Sequence, residues 1–554
     1  MKKMRKPNRW SAVMLCLWIL AGVPALSGPA YAAEQGCRYV YGEAWGGTGG
    51  ITLHAPLTAE SGPAQAAYDP GDVAAVDAVI ANSRLGWTPG DPGSWNTAAG
   101  DAPYLTWDDS SPKRITGLYI KSCGFLGRLD VSGLTCLQAL DCSDNRLTGE
   151  LDVSNLGSLQ TLNCAYNKLT ALNVSGLRGL RELFFHNNQL RKLDTWGLDS
   201  LQILDCSVNN LTGELDVSGL GNLQTLNCAN NHLLTGLNVS GLARLQELNC
   251  FDSGLTCLEV SDLDSLRTLN CAHSKLTGEL NVSGLPALQE LLCRQNELTG
   301  LNVSGLSNLQ ELSCSNNNLT ELDVSGLARL RELDCFNNDL TSLDVSGLTN
   351  LQILACGNNG LTGLDVSGLE RLRVLDCSGS SLSELDISDL TGLQTLDCRD
   401  NRLSRLDISS LKSLQFLDCS GNGLTKLDVL GLEHLQVLEC SGNSLSELNM
   451  SGLKGLQCLN CSGNGLTHLD ILGMEGLQEV DCSDNSLDEL DVSGLPSLQR
   501  LCCANNRLSR LDVFDLERLL VLDYSGNDLT GLDAGVLMVW QYFKLPWRQM
   551  GFTG

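Results

Sequence analysis

The stretch LQTLDCRDNRLSRLDISSL, residues 393–411, decides the fold, because variants of it recur through most of the chain. The general form is L-x-x-L-x-C-x-x-N-x-L-T-x-L-D-V-S-G-L, and successive copies are spaced 21 or 22 residues apart. A fixed period in this range, with this leucine pattern, predicts a solenoid in which each copy forms one coil. Stacked coils share one continuous core, so the 554 residues do not imply several globular domains. We expect a rod of about 20 coils with a long exposed surface.

Each coil is predicted to have two β-like walls. In the first half of the repeat, strand alternation places Leu396 and Cys398 inside and leaves Thr395, Asp397 and Arg399 outside. The second half repeats the leucine spacing within ten or eleven residues, which is too short for a helix that also holds Val-Ser-Gly. The expected fold is therefore a solenoid with a parallel β inner wall and an extended, β-like outer wall.

A cysteine column and an asparagine column are expected to stabilise the stacked coils. In-register side chains of parallel strands point the same way and do not present the geometry of a disulfide. The cysteines are therefore predicted to be buried free thiols that act as small apolar side chains. The asparagine amides are predicted to satisfy backbone groups at each turn. Representative members of the two columns are Cys398, Cys419, Cys440, Asn401, Asn422 and Asn443.

The N-terminus has the layout of a secretory signal peptide. Five basic residues precede an apolar stretch, Trp10–Leu26, and the small residues Ala30 and Ala32 then form a cleavage site. Residues 1–32 are predicted to be removed, and residues 33–69 stay unassigned. The alternative is an uncleaved anchor, which Pro24 and the cleavage site disfavour. No later segment is apolar enough to span a bilayer.

The net charge is −27 before cleavage, and loss of the basic signal peptide makes it more negative. Such a charge argues against nucleic acid and anionic membrane surfaces as partners.

The repeat resembles that of leucine-rich repeat proteins, specifically a short bacterial subclass with a nested period of ten and eleven residues. Internalin-type surface proteins are similar, and the resemblance covers residues 115–533. Cysteine in place of the third leucine and the Leu-Asp-Val-Ser run depart from the internalin consensus, so the comparison is one of class. The resemblance implies an exported bacterial protein, secreted or at the cell surface, whose concave face recognises other molecules.

Both ends of the array fit the need of a solenoid for caps that cover its terminal core. A predicted helix over Pro70–Leu85, three tryptophans and the sequence Arg114–Leu118 resemble the cap that precedes many leucine-rich repeat arrays. Residues 70–114 are therefore predicted to form an N-terminal cap. Residues 534–554 are predicted to form a C-terminal cap or tail, with the apolar run Val536–Phe543 across the last coil.

The sequence gives no indication of catalysis. The six histidines are scattered over distant coils, and metalloprotease, hydrolase and phosphate-loop motifs are missing from the sequence. We therefore expect neither an enzyme nor a cofactor. The acidic columns, which include Asp407 on the outer wall and Asp397 on the inner wall, suggest bound Ca²⁺ as a less favoured reading. The favoured alternative is that each carboxylate accepts hydrogen bonds from backbone or a neighbouring serine.

Candidate partner-binding residues are those that break the run of small and acidic side chains on the inner wall. Aromatic residues and arginine on an exposed wall are typical binding anchors. A predicted apolar stripe consists of Ile353, Val374, Phe416 and Val437. A run of glutamates, Glu290, Glu311 and Glu332, favours a basic partner. The alternative is ordinary surface variation. The candidates are Tyr166, Phe184, His186, Phe251, Arg294, Phe336 and Phe416.

These patterns leave two hypotheses for function. The first is an exported module that recognises a protein or glycan through its concave face, without catalysis. The second is a structural or spacer protein of the cell envelope that has no specific ligand. Clustered exposed aromatic residues favour the first hypothesis, and uniform columns favour the second.

Overall fold

A computed structural model of the chain describes residues 68–81, 87–92, 95, 104–529 and 531–533. The predicted signal peptide, nearly all of the segment 33–69 and the C-terminal run 534–554 lie outside these described residues. Within them the repeats wind into a parallel β-solenoid, which confirms the predicted fold.

The inner wall is one 21-stranded sheet. Its first strand pairs antiparallel with the second, and the remaining neighbours are parallel. Equivalent repeat positions are in register, so Leu396 pairs with Leu417 and Asp397 with Asp418. The inner-wall strands are β1 (Leu105–Trp107), β2 (Ile115–Tyr119), β4 (Ala139–Asp141), β6 (Thr161–Asn163), β8 (Glu182–Phe184), β9 (Ile203–Asp205), β11 (Thr225–Asn227), β13 (Glu247–Asn249), β14 (Thr268–Asn270), β16 (Glu290–Leu292), β18 (Glu311–Ser313), β19 (Glu332–Asp334), β20 (Ile353–Ala355), β21 (Val374–Asp376), β22 (Thr395–Asp397), β23 (Phe416–Asp418), β24 (Val437–Glu439), β25 (Cys458–Asn460), β26 (Glu479–Asp481), β27 (Arg500–Cys502) and β29 (Val521–Asp523).

The outer wall is extended, and strand pairs form there at only a few places. At three of these places the first strand lies in a copy that reads Leu-Thr-Gly-Glu-Leu, which is one residue longer than the usual copy. The extra residue lengthens the segment and is accommodated by register shifts, as between Gly149 and Glu150. The outer-wall strands are β3 (Leu126–Gly127), β5 (Arg146–Asp152), β7 (Lys168–Asn173), β10 (Gly213–Asp216), β12 (Leu234–Asn238), β15 (Thr277–Asn281), β17 (Glu297–Asn302), β28 (Arg510–Asp512) and β30 (Gly531–Asp533).

The space between the walls is filled by columns of leucine and cysteine. Leu396, Cys398 and Leu403 are fully buried, and their counterparts form one continuous core along the described coils. Every described cysteine is a free thiol, and the members of the cysteine column are buried, as predicted for that column. Burial raises the pKa of thiols in the cysteine column, such as that of Cys398, well above the ordinary value of a thiol. These thiols therefore remain protonated, apolar groups.

Where the column position is asparagine, its side chain joins the coil to the one before it. The Nδ2 of Asn401 donates to the carbonyl oxygens of Cys377 and Cys398 at 2.9 and 3.1 Å. Its Oδ1 accepts the N–H of Leu382 at 3.0 Å. The same pattern recurs at Asn422 and Asn443. This confirms the predicted role of the amides in satisfying the turn backbone.

A helix, α1 (Pro70–Ala81), packs against the start of the array and lies within the predicted helical span. Asp69 caps its N-terminus by accepting the N–H groups of Gly71 and Asp72. The buried Asp72 then binds Arg114 through two hydrogen bonds of 2.9 and 3.0 Å and accepts the N–H of Ile115 at 2.7 Å. These contacts fasten the helix to β2.

Candidate functional site

The candidate surface is the face of the inner wall that points away from the core. Three positions of each copy face it, illustrated by Thr395, Asp397 and Arg399. The first two lie on the outward side of the strand, as the alternation predicts, but each is only 5% exposed. In-register neighbours lie about 4.8 Å away on both sides and cover small side chains.

One pair of candidates meets at the start of this face. The rings of Tyr166 and His186 are 5.1 Å apart and nearly perpendicular. The Nδ1 of His186 lies 3.3 Å from Oδ2 of Asp205 on β9, and Phe184 pairs in register with Asp205. Tyr166 has a left-handed backbone, with a φ of 54°, and its side chain remains 40% exposed. The structure therefore brings together three predicted residues from two successive coils.

A second aromatic–histidine pair lies further along the face. The rings of Phe251 and His273 are 5.0 Å apart. Arg294 follows on the next coil and is half-buried. The two pairs are four coils apart, or about 19 Å at the usual spacing of β-strands. His273 was not among the predicted candidates, although it lies two residues after Cys271, as Tyr166 lies two residues after Cys164.

Phe336 and Phe416 differ from the expectation of exposed anchors. They are 6% and 7% exposed, so neither ring projects from the wall as an open anchor. Phe416 lies between the in-register side chains of Thr395 and Val437, which cover it on both sides. Ile353, Val374 and Val437 are half-buried, so the predicted apolar stripe is only partly exposed.

Three glutamates, Glu290, Glu311 and Glu332, are in register on adjacent strands. Burial, followed by repulsion between the carboxylates, raises the pKa of Glu311 to about 7 and of Glu332 to about 8. Burial also raises the pKa of Glu290, with a smaller effect from Glu247. Glu311 and Glu332 therefore change charge near neutral pH.

Three aspartates, Asp376, Asp397 and Asp418, form a second in-register column. The Nη1 of Arg399 lies 3.2 Å from Oδ2 of Asp397 and 3.2 Å from Oδ2 of Asp418. The Oδ1 of Asp376 accepts the N–H of Ser378 at 2.8 Å. Burial raises the pKa of Asp376 to about 7.

The outer-wall aspartates have local hydrogen-bond partners. The N–H of Ser409 donates to Asp407 at 3.0 Å, and hydrogen bonds from Ser409 lower the pKa of that carboxyl. Within the described part of the chain, no group of three acidic, cysteine or histidine side chains has the geometry to hold a metal ion. The described residues also include no helix long and apolar enough to cross a membrane.

The family model described as "Leucine Rich repeats (2 copies)" matches residues 307–347, 328–370, 391–432 and 412–455. Curated protein sequences give no match. Among solved structures, YopM from Yersinia enterocolitica is 28% identical over 75% of this chain and 88% of its own, with a TM-score of 0.67. The plant peptide hormone receptor RGFR1, in complex with RGF2, is 28% identical over 75% of each chain, with a TM-score of 0.68. InlJ from Listeria monocytogenes, whose functional domain includes a cysteine ladder, is 32% identical over 65% of this chain and 70% of its own, with a TM-score of 0.47.

Proposed function

Because the chain is a leucine-rich repeat protein, we propose that it is a protein-interaction module whose partner binds the exposed face of the inner wall. The observation that carries this proposal is the Tyr166–His186 pair, with the second pair, Phe251–His273, four coils away. Partly exposed aromatic side chains held by their neighbours are typical interface anchors. Two such anchors about 19 Å apart suit one extended partner surface.

The similar solved structures support a binding role. RGFR1, which was solved in complex with RGF2, has the same repeat architecture over three-quarters of its length. Binding to an extended face needs no reacting groups, and the proposal assigns this chain no reaction and no cofactor. We favour a protein over a glycan as partner because RGFR1, a peptide hormone receptor, was solved in complex with RGF2.

The proposal includes export from a bacterial cell, followed by release or retention at the cell surface. Its basis is the layout of residues 1–32, with basic residues, an apolar stretch and a small-residue cleavage site.

The test is capture of a partner by the chain without residues 1–32, compared with two double variants. The Tyr166→Ala/Phe251→Ala variant removes one aromatic ring from each pair. The control, Trp196→Ala/Phe514→Ala, removes two aromatic side chains that are 68% and 67% exposed at the turns after the outer wall. We expect the control to retain the partner and the inner-wall variant to lose at least about tenfold in affinity.

Loss of the partner in the control alone would overturn the proposed site. If the parent chain captures no partner from extracts of its natural environment, the result would favour the second hypothesis, a structural or spacer protein without a specific ligand.

A further inference from the structure

A run of carboxylates continues along the inner wall beyond the two aromatic–histidine pairs. Glu290, Glu311 and Glu332 are on three successive strands, and Asp376 lies two strands further on. We call these four residues the acidic wall. Like charges stacked about 4.8 Å apart repel one another, and their burial adds to the cost of ionising them. Stability of the solenoid does not require acidic residues here, because other coils have Thr, Ile or Val at the glutamate position.

The chain itself shows which group fits between stacked carboxylates. The guanidinium of Arg399 contacts Asp397 and Asp418, on adjacent strands, at equal distances of 3.2 Å. One cationic side chain therefore bridges two carboxylates at the spacing of the sheet. The three glutamates of the acidic wall repeat this spacing without a bridging cation of their own among the described residues. Arg294 lowers the pKa of Glu311, but burial and the neighbouring carboxylates outweigh its effect.

Asp376 provides an independent indication of a ligand. The residue is 1% exposed, and its Oδ2 has no hydrogen-bond partner. A buried carboxylate oxygen in this state is costly unless it is protonated or bound by a donor. Gly357, on the preceding coil, lies beside Asp376. A Cβ at position 357 would lie 2.8 Å from Oδ1 of Asp376. The same Cβ would lie 2.8 Å from the carbonyl oxygen and from Oγ of Ser378, so glycine lets this carboxyl and Ser378 pack against the backbone of the preceding coil.

We propose that the acidic wall binds lysine or arginine side chains from an extended segment of the partner protein. This inference rests on the proposed function and specifies the chemistry of the partner. The wall spans four strand spacings, about 19 Å, which corresponds to about six residues of extended chain. The segment runs along the solenoid axis. Every second side chain of an extended segment faces the wall, at intervals of about 6.6 Å, and the long, flexible lysine or arginine side chains adjust to the strand spacing of about 4.8 Å.

The test measures binding of an acetylated, amidated hexalysine peptide to the full chain by titration calorimetry at pH 8.5. The variant Glu290→Gln/Glu311→Gln/Glu332→Gln preserves side-chain shape and removes three charges. The matched control, Asp323→Asn/Asp344→Asn/Asp365→Asn, removes three charges from an exposed in-register column at the outer wall. We expect the glutamine variant to weaken binding at least about tenfold, and the control to change it less than about twofold.

Equal losses in the two variants would show attraction by net charge alone and overturn the inference, as would absence of binding to the parent chain. Melting curves recorded by circular dichroism check that both variants fold. The result is independent of partner capture. A chain that captures its partner through Tyr166 but ignores hexalysine disproves the acidic wall and leaves the proposed function intact. A chain that binds hexalysine at the acidic wall but captures no partner supports the acidic wall and contradicts the proposed function.

Discussion

Replacement of Asn401 by alanine tests how the coils are held together. The substitution removes the acceptor for the N–H of Leu382 and a donor to the carbonyl oxygen of Cys377, both in the preceding coil. Each buried backbone group left without a partner costs about 1–3 kcal/mol. The carbonyl oxygen has a second lone pair, so most of the loss falls on the N–H. We expect the variant to be about 2–3 kcal/mol less stable.

The effect should be local, because each coil of a solenoid contacts only its neighbours. Hydrogen exchange followed by mass spectrometry measures it directly. The amide of Leu382 should exchange about 30 to 150 times faster, since each 1.4 kcal/mol is a factor of ten. The control is Asn350→Ala, because Asn350 makes solvent-exposed hydrogen bonds to Ala328 and Arg371. A loss for Asn401→Ala no greater than that of the control, or a uniform increase in exchange along the chain, would refute this reasoning.

Three further predictions concern titration, the thiols and the asparagine column. Because the folded state raises the pKa of Glu311 to about 7 and of Glu332 to about 8, it binds more protons than the unfolded chain between about pH 5 and 8. Thermal stability should therefore fall as pH rises through this window. The Glu311→Gln/Glu332→Gln variant should make the melting temperature depend less on pH. A melting temperature that rises with pH would contradict this prediction. A thiol reagent should modify the exposed Cys257 in the folded chain. It should modify members of the cysteine column, such as Cys398, only when the chain unfolds, and mass spectrometry measures both reactions. The hydroxyl of Ser380, in the asparagine column, has no hydrogen-bond partner, so Ser380→Asn should stabilise the chain by about 1 kcal/mol in urea denaturation.

The repeat predicts the core and the turns because each depends on local spacing. Leu396 and Cys398 are two residues apart and face the same side of a strand, while Asn401 follows where the chain must turn. Such features require only strand alternation and hydrogen-bond accounting.

The exposure of wall residues was predicted less well because it depends on neighbouring coils. The alternation places Asp397 and Phe416 on the outward face, but adjacent side chains and Arg399 cover that face locally. The contact between the His273 and Phe251 rings similarly depends on the register between coils. Strand pairs of the outer wall depend on one extra residue in some copies. Aligning the copies by strand position would have placed His273 in the same column as Tyr166.

The central claim is that the partner contacts the exposed face of the inner wall. Its most direct test places a photo-crosslinking phenylalanine analogue at Tyr166 in one chain and at Ser325, an exposed outer-wall turn position, in another. Both chains are irradiated with the captured partner. We predict a covalent product from position 166 and none from position 325. A product from position 325 alone, with the partner bound equally to both chains, would contradict the account.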